Sequence, residues 1–204
     1  MKEEGRAPLR ARQAQHVRTS VLDAVIAELE GTAVDDLSMA DVAAAAGISL
    51  RTLYRYFPDR PALLSAAGEH LYGSLGVPFD IAGPRDISAS LLDAARQLST
   101  RPDLARALVR TTAGRATRSA VRGQRVEAIS TALKPATEGM DADTARWATA
   151  VITHLCSAAS WVIIADESGL DEADAQQAVA WAIDSLIESL PATGRAPRPR
   201  LKRS

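Results

Sequence analysis

The sequence contains few of the residue types from which covalent and metal-dependent sites are built. Its single cysteine, Cys156, cannot form an internal disulfide and is compatible with a reducing cytoplasm. The three histidines, His16, His70 and His154, lie far apart and have no metal or catalytic motif around them. No nucleophile elbow, zinc motif or pair of catalytic carboxylates is recognisable. We therefore expect a protein that is not an enzyme and that needs no metal or cofactor.

Long apolar runs are equally scarce. The segment Trp147–Ala165 has no formal charge and is long enough to span a membrane. It is rich in Ala, Ser and Thr, however, and it stands alone in a chain that is 47% hydrophobic and 24% charged. We interpret it as a helix buried in a core or in a subunit interface. The first fifteen residues lack the apolar core of a secretory signal, so the predicted location is cytoplasmic.

Strand patterns are absent from the sequence, and helical spacing of apolar residues recurs nearly everywhere. After a first amphipathic helix, a second is predicted to begin after Ser38 and to end at Gly47, which suits the left-handed C-terminal position. Ser49 can cap a short helix from Leu50 to Tyr56, and Asp59 can cap a fourth. Later helices are predicted near 86–100, 102–113, 118–134, 142–166 and 171–190, and they are separated by Gly114, by Pro135 with Gly139, and by Gly169. The predicted fold class is all-α, with about nine helices.

The stretch "DVAAAAGISLRTLYRYF", Asp41–Phe57, concentrates aromatic and basic side chains. The chain has three Trp, three Tyr and two Phe, and three of these eight rings fall at Tyr54, Tyr56 and Phe57. Two short helices joined by a tight glycine turn form a helix-turn-helix, whose second helix is too short to have its own core. Exposed Arg on that helix can pair with guanine, Leu or Thr can touch a thymine methyl, and Tyr hydroxyls suit phosphates. The alternative is a core role for the rings; we assign Phe57 to the core and leave both readings open for Tyr54.

The longer stretch "LSMADVAAAAGISLRTLYRYFPDRPALL", Leu37–Leu64, resembles the DNA-binding signature of the TetR (tetracycline repressor) family of bacterial transcriptional regulators. The Gly-Ile-Ser turn, the Thr-Leu-Tyr triplet and the Tyr-Phe-Pro-Asp-Arg run all lie in register. The resemblance implies a three-helix DNA-binding domain followed by a helical ligand-binding and dimerisation domain. It also implies a homodimeric repressor that binds a palindromic operator and is released by a small-molecule effector.

By position, the resemblance implies DNA contacts along the second helix of this motif and at its flanks. Leu50 and Arg51 would occupy the main base-reading positions, and Ser38 and Arg60 would hold phosphates. Many relatives carry Lys-Gly or a similar small pair in place of Leu50 and Arg51, which predicts a different operator for this chain. The full predicted set of DNA-binding residues is Ser38, Ser49, Leu50, Arg51, Thr52, Tyr54, Arg55, Tyr56 and Arg60.

A break at "GSLGVPFDIAGP", residues 73–84, suggests the domain boundary. The predicted domains are 1–72, the helix-turn-helix domain with a basic N-terminal arm and linking helix four; 73–191, the ligand-binding and dimerisation domain; and 192–204, a disordered basic tail. The arm either reaches a DNA groove or phosphates, or is a frayed end.

Two helices near 142–166 and 171–190 are predicted to form the dimer seam, as the resemblance implies. The later helix carries one apolar stripe and, beside it, a stripe of small residues that allows a partner helix to approach closely. These stripes consist of Val179, Ile183, Leu186 and Leu190, and of Ala178, Ala182, Ser185 and Ser189. A dimer would place two reading helices about one DNA turn apart, as a palindrome requires.

Candidate ligand residues are Arg110, Arg118, Trp147, His154 and Trp161. The last three are spaced by seven and are predicted to share one helical stripe, either as a pocket wall or packed in the core or seam. Seven arginines between Arg101 and Arg125 could meet an anionic effector. We favour the alternative, in which they pair with acids elsewhere; candidates are Asp86, Asp93, Glu127 and Glu138.

A second function is compatible with the same residues: a helical small-molecule-binding protein whose helix-turn-helix contacts another protein. Salt dependence separates the two hypotheses, because DNA binding through several phosphates weakens steeply as salt is raised.

Overall fold

The computed structural model describes residues 6–31, 37–77 and 80–193, and within them it is built from helices without a strand. The first five residues and the predicted tail from 194 onward lie outside the described residues. The helices are α1 (Arg6–Gly31), α2 (Met39–Ala45), α3 (Leu50–Tyr56), α4 (Arg60–Ser74), α5 (Ile87–Ser99), α6 (Pro102–Arg110), α7 (Thr112–Ser119), α8 (Arg122–Thr137), α9 (Ala142–Leu155), α10 (Ala158–Ser168) and α11 (Glu172–Thr193), with a 3-10 turn at Pro84–Asp86 before α5. The all-α prediction is confirmed.

Side-chain caps fix where the helices of the helix-turn-helix begin, as the sequence predicts. Each cap oxygen accepts the backbone N–H three residues further on, which satisfies a group that has no partner inside the helix. The pairs are Ser38 with Asp41 (3.1 Å), Ser49 with Thr52 (3.1 Å) and Asp59 with Ala62 (2.8 Å). Gly47, with φ of +67°, makes the turn between α2 and α3 in the left-handed region.

The chain divides into two compact units. The first contains residues 1–75 and 101–121, and the second contains 76–100 and 122–204. In the first unit, α1 packs against α2, α4 and α6. Its buried side chains include Val21, Val25, Leu53, Phe57, Leu63 and Leu71. The helix-turn-helix thus shares its compact unit with α6 and α7, while the predicted functional boundary after residue 72 stays a prediction.

In the first unit, α4 lies unusually close to α7. A Cβ atom at Gly68 would lie 2.1 Å from the carbonyl oxygen of Thr117 and 2.7 Å from the Cβ of Ala120. Thr117 is fully buried, and its hydroxyl donates to the carbonyl of Ala113 at 3.0 Å. The contact is therefore backbone against backbone, and only glycine fits it on the α4 side.

The helix α7 was missed by the sequence prediction, which treated Gly114 as the end of a helix. Thr111 caps α7 by accepting the N–H of Gly114 at 2.9 Å, so Gly114 lies in the first turn instead. A Cβ atom at Gly114 would lie 2.0 Å from the carbonyl oxygen of Ala107 on α6. Glycine is needed here for the α6–α7 contact and not to stop a helix.

The second unit is built from α5, α8, α9, α10 and α11. The helix α11 packs against α5 and α10, and Gln176 on α11 donates to the hydroxyl of Ser99 at 2.7 Å. The core includes Ile129, Leu133, Ile152, Trp161 and Ile183, all buried.

The single helix predicted over 142–166 is two helices, α9 and α10, bent by 66°. The chain leaves the helical conformation at Ser157, with φ of −119° and ψ of 151°. Ser160 donates its hydroxyl to the carbonyl of His154 at 2.8 Å, which satisfies an acceptor at the end of α9. Side-chain hydroxyls thus compete with the helical backbone, and hydrophobic periodicity does not reveal such a break.

Across residues 6–31, 37–77 and 80–193, no single helix is both long and apolar enough to cross a membrane. In this part of the chain, α9 and α10 meet the length and hydropathy criteria only when the two helices are counted together as one bent segment.

Replacing Gly68 by Ala tests the α4–α7 contact. We expect Gly68→Ala to lower the free energy of unfolding by about 1–3 kcal/mol, because the methyl group would overlap the Thr117 carbonyl. Gly73→Ala is the matched control on the same helix, since no atom lies within 4 Å of a Cβ placed there. This control should gain about 0.5–1 kcal/mol. Urea denaturation followed by circular dichroism measures both, and equal stability of the two variants would contradict the contact.

Candidate nucleic-acid interface

The helix α3 is held in place by one face and leaves the other in solvent. Leu53 and Phe57, four residues apart, are 0% and 1% exposed. On the opposite side Leu50 is 41% exposed and Tyr54 is 48% exposed. The assignment of Phe57 to the core is confirmed, and of the two alternatives for Tyr54 the exposed one is correct. The helix therefore presents a continuous outward surface.

Basic side chains border this outward surface. Arg51 and Arg55 are exposed and lie one turn apart on α3. The guanidinium of Arg55 lies 5.2 Å from the ring centre of the half-buried Tyr56. Arg51 makes no hydrogen bond, ion pair or ring contact with any residue the structure describes.

A further arginine supports α3 from α1. Arg18 lies over the ring of Phe57, with its guanidinium carbon 4.6 Å from the ring centre. Arg18 was not among the predicted site residues. An arginine between a valine and a threonine on an amphipathic helix gives no signal of this ring contact, because Phe57 lies 39 positions further along the chain.

The serine and threonine hydroxyls among the predicted DNA-binding residues form hydrogen bonds at the starts of α2 and α3. The hydroxyl of Ser49 lies 2.8 Å from that of Thr52 and also accepts the N–H of Thr52. The hydroxyl of Ser38 donates to the Asp41 carboxylate and accepts its N–H. These side chains set the geometry of α2 and α3, and their predicted contacts with DNA stay predictions.

Arg60 is turned toward the backbone of its own unit. Its Nε donates to the carbonyl of Leu37 at 2.8 Å, and its Nη2 is buried without a hydrogen-bond partner among the described residues. The side chain therefore links the start of α4 to the segment before α2. Its predicted phosphate contact stays a prediction.

The three candidate ligand residues of the second unit do not share one exposed surface. Trp161 is buried at 1% exposure on α10, whereas Trp147 and His154 are exposed on α9. The prediction of one shared stripe is wrong, because the bend between α9 and α10 separates Trp161 from the other two. Arg110 is exposed and Arg118 is half-buried, and both belong to the first compact unit.

Part of the arginine run pairs with acids, although not with those that the sequence suggested. Arg101 binds the Glu30 carboxylate through Nε at 3.1 Å and through Nη2, and this hydrogen bonding holds the pKa of Glu30 below its ordinary value. Arg106 lies 3.5 Å from Asp103. Asp93 instead pairs with Arg96, which is outside the run, at 2.8 Å.

The described residues of the second unit line at least two open grooves. The larger has a volume of about 810 Å³ and the smaller about 360 Å³. None of the five candidate ligand residues lines either groove. The larger is lined by Gly83, Pro84, Arg85, Asp86, Pro135, Ala136, Asp184, Ile187 and Glu188.

The environment of Cys156 disfavours the thiolate form of its side chain. Burial raises the pKa of the Cys156 thiol to about 12, and the charge of Arg125 only partly offsets this effect. Among the described residues, no three His, Cys, Asp or Glu side chains are grouped so that they could hold a metal ion.

An exposed tryptophan on α11 was missed by the sequence prediction. Trp181 is 71% exposed, next to the small-residue stripe that contains Ala178, Ala182 and Ser185. The neighbouring apolar stripe is largely used within the chain, since Val179, Ile183 and Leu190 are buried and Leu186 is 36% exposed. A tryptophan one position from a stripe of small residues is the signal that could have identified this surface.

The comparisons with known proteins agree with this geometry. The family model of bacterial regulatory proteins, tetR family, matches residues 21–67, which span the C-terminal part of α1, all of α2 and α3, and the first half of α4. No curated protein sequence matches the chain.

Solved structures share the fold. A TetR transcriptional regulator from Rhodococcus sp. RHA1 is 21% identical with a TM-score of 0.52, and the match covers 85% of this chain and 97% of that one. A protein described as a TetR-family transcriptional regulator from Rhodococcus sp. is 23% identical with a TM-score of 0.54, over 84% of this chain and 99% of that one.

The family match covers the segment in which α3 is held by Leu53 and Phe57 and presents Leu50, Arg51 and Tyr54 to solvent. On this basis residues 21–67 form a helix-turn-helix DNA-binding domain of the tetR family type, as found in bacterial regulatory proteins.

Proposed function

We propose that the protein is a dimeric repressor that binds a palindromic operator through α3 and is released from it by a small-molecule effector. The outward surface of α3 is the observation that carries this proposal. It combines two exposed apolar side chains, Leu50 and Tyr54, with the two arginines Arg51 and Arg55. Apolar and guanidinium groups on one short helix match the methyl groups, base edges and phosphates of a major groove.

A second copy of the chain is the proposed partner of the exposed surface of α9 and α11. Trp147 and Val151, one turn apart on α9, are 46% and 49% exposed, and Trp181 on α11 is 71% exposed. Large exposed apolar side chains of this kind mark interaction surfaces. Half-buried Ala178 and Ala182 beside Trp181 would let a partner helix approach closely. A symmetric pair of reading helices would then match a palindrome.

Salt dependence tests the DNA-binding function. A palindrome selected from a random DNA pool should bind with an affinity that falls linearly with salt on a log–log plot, by about 10³-fold or more between 50 and 200 mM, if about six or more phosphates are contacted. A shuffled duplex of equal length is the control. A response insensitive to salt, with no preferred sequence, would favour the alternative of a helix-turn-helix that contacts a protein.

Replacing Trp181 by Asp tests the dimer. We expect Trp181→Asp to weaken self-association by about 30–1,000-fold, the range typical of an aromatic anchor, and to weaken palindrome binding with it. Each subunit should keep its helical fold, because the Trp181 side chain is 71% exposed in the single chain. Sedimentation velocity and operator titration measure the two effects.

Val126→Asp is the matched control, since Val126 is 40% exposed on α8, outside the proposed seam. It should leave the dimer intact. If Trp181→Asp stays dimeric over the concentration range in which the wild-type protein is dimeric, the dimer interface does not include Trp181.

The proposed effector acts by changing the distance between the two recognition helices. Effector and operator must then weaken each other's binding by the same factor. The larger groove of the second unit, at about 810 Å³, has the volume of a small-molecule site. The pair Arg110 and Arg118 remains the alternative anchor for an anionic effector.

A release screen tests both effector sites. Compounds that release the wild-type protein from its operator would be titrated against Ala136→Trp, which narrows the groove, and against the Arg110→Ala/Arg118→Ala double variant. We expect Ala136→Trp to lower effector potency at least tenfold while operator affinity without effector stays unchanged. Loss of potency only in the double variant would favour the arginine site, and equal potency in all three proteins would contradict both.

A further inference from the structure

Most polar and cationic side chains around α3 already have partners within the helix-turn-helix. Ser49 and Thr52 are hydrogen-bonded to each other at 2.8 Å. Arg55 lies over the Tyr56 ring, and Arg60 donates to the Leu37 carbonyl. A side chain with a partner inside the protein must give up or share that contact to read a base.

Arg51 differs from the other arginines of this region. It is exposed, and no contact within residues 6–31, 37–77 or 80–193 occupies its guanidinium. Its neighbour in sequence, Leu50, is 41% exposed, and with Tyr54 one turn later it forms an apolar ridge along the helix. The surface therefore offers one uncommitted cation directly beside an apolar ridge.

The chemistry of the two side chains restricts the bases that they can read. A guanidinium donates two parallel hydrogen bonds, and guanine is the base that presents two acceptors, O6 and N7, in the major groove. Adenine replaces one of these acceptors with an amino donor. The Leu50 side chain has no hydrogen-bonding group. If it covered a polar base edge, it would exclude water from that edge without replacing the lost hydrogen bonds, which is unfavourable. The apolar feature of the groove is the C5 methyl of thymine.

With α3 in the major groove, as proposed, the side chains of Leu50 and Arg51 are close enough to contact neighbouring base pairs. Consecutive Cα atoms in a helix rise by about 1.5 Å, whereas base pairs are about 3.4 Å apart. The longer Arg51 side chain can span the difference while Leu50 stays over the neighbouring pair. The two contacts are therefore made in the same half of the palindrome.

We propose that each operator half-site contains a guanine next to a thymine, in neighbouring base pairs, and that Arg51 reads the guanine while Leu50 contacts the thymine methyl. This inference rests on the proposed operator binding and extends it to the identity of two bases. It makes Leu50 and Arg51 the specificity-determining pair, and Arg55 a side chain that contributes to affinity for any sequence.

Two base analogues test the contacts one atom at a time, with the full-length protein and the palindrome selected from random DNA. Deoxyuridine in place of the thymine removes only the methyl group, and 7-deazaguanine in place of the guanine removes only the N7 acceptor. For wild type we expect a loss of about fourfold per half-site from deoxyuridine, the value of one buried methyl group. We expect 7-deazaguanine to lower the affinity by about five- to tenfold, because it removes one of the two hydrogen bonds of the bidentate pair.

The variants assign each loss to a residue. Leu50→Ala should bind the thymine and deoxyuridine operators equally, and Arg51→Ala should bind the guanine and 7-deazaguanine operators equally. Arg55→Ala is the matched control, an exposed arginine on the same helix, and should keep both analogue penalties in full. Circular dichroism checks that each variant is folded, as the exposure of all three side chains predicts.

The outcomes separate this inference from the function on which it rests. A selected half-site without adjacent thymine and guanine overturns the inference, as does an analogue penalty that persists in Leu50→Ala or Arg51→Ala. In both cases the operator is still bound, so the proposed function stands. If no palindrome is selected at any salt concentration, the proposed function fails as well.

Discussion

The burial of Leu53 and Phe57 is the constraint on which the rest of the helix-turn-helix depends. A helix of seven residues gains too little from its own hydrogen bonds to be stable alone. Its conformation therefore comes from the core residues beneath it. Because these two side chains lie four positions apart on one face, they also determine which face is exposed. Exposure of Leu50, Arg51 and Tyr54 is a consequence of that burial.

The same unit contains several contacts that fix the orientation of α3 and α4. Arg18 lies over the Phe57 ring at 4.6 Å, and Arg60 ties the start of α4 to the Leu37 carbonyl. The glycine at position 68 lets α4 approach the α7 backbone without a side chain between them. Backbone contacts of this kind leave little room for adjustment. These contacts hold α4 and the helix-turn-helix within one compact unit.

How much could be predicted from the sequence depended on the range of the interactions. The caps Ser38, Ser49 and Asp59 act on residues three positions away, so their helices were predicted with nearly correct bounds. Gly114 was misread because the same residue type ends helices and permits close packing, and its neighbour Ala107 lies on another helix. The bend between α9 and α10 was missed because Ser157 and Ser160 interrupt a run of uniformly helical composition.

By itself the sequence determined the helical class, the helix-turn-helix and the starts of its short helices, because periodicity, capping and turn chemistry are local properties of the chain. The tertiary structure alone decided which arginines are already paired, which tryptophan lies in the core and which in solvent, and where α4 meets α7. These outcomes depend on side chains that are distant along the chain and become neighbours only when the helices pack, so no local pattern encodes them.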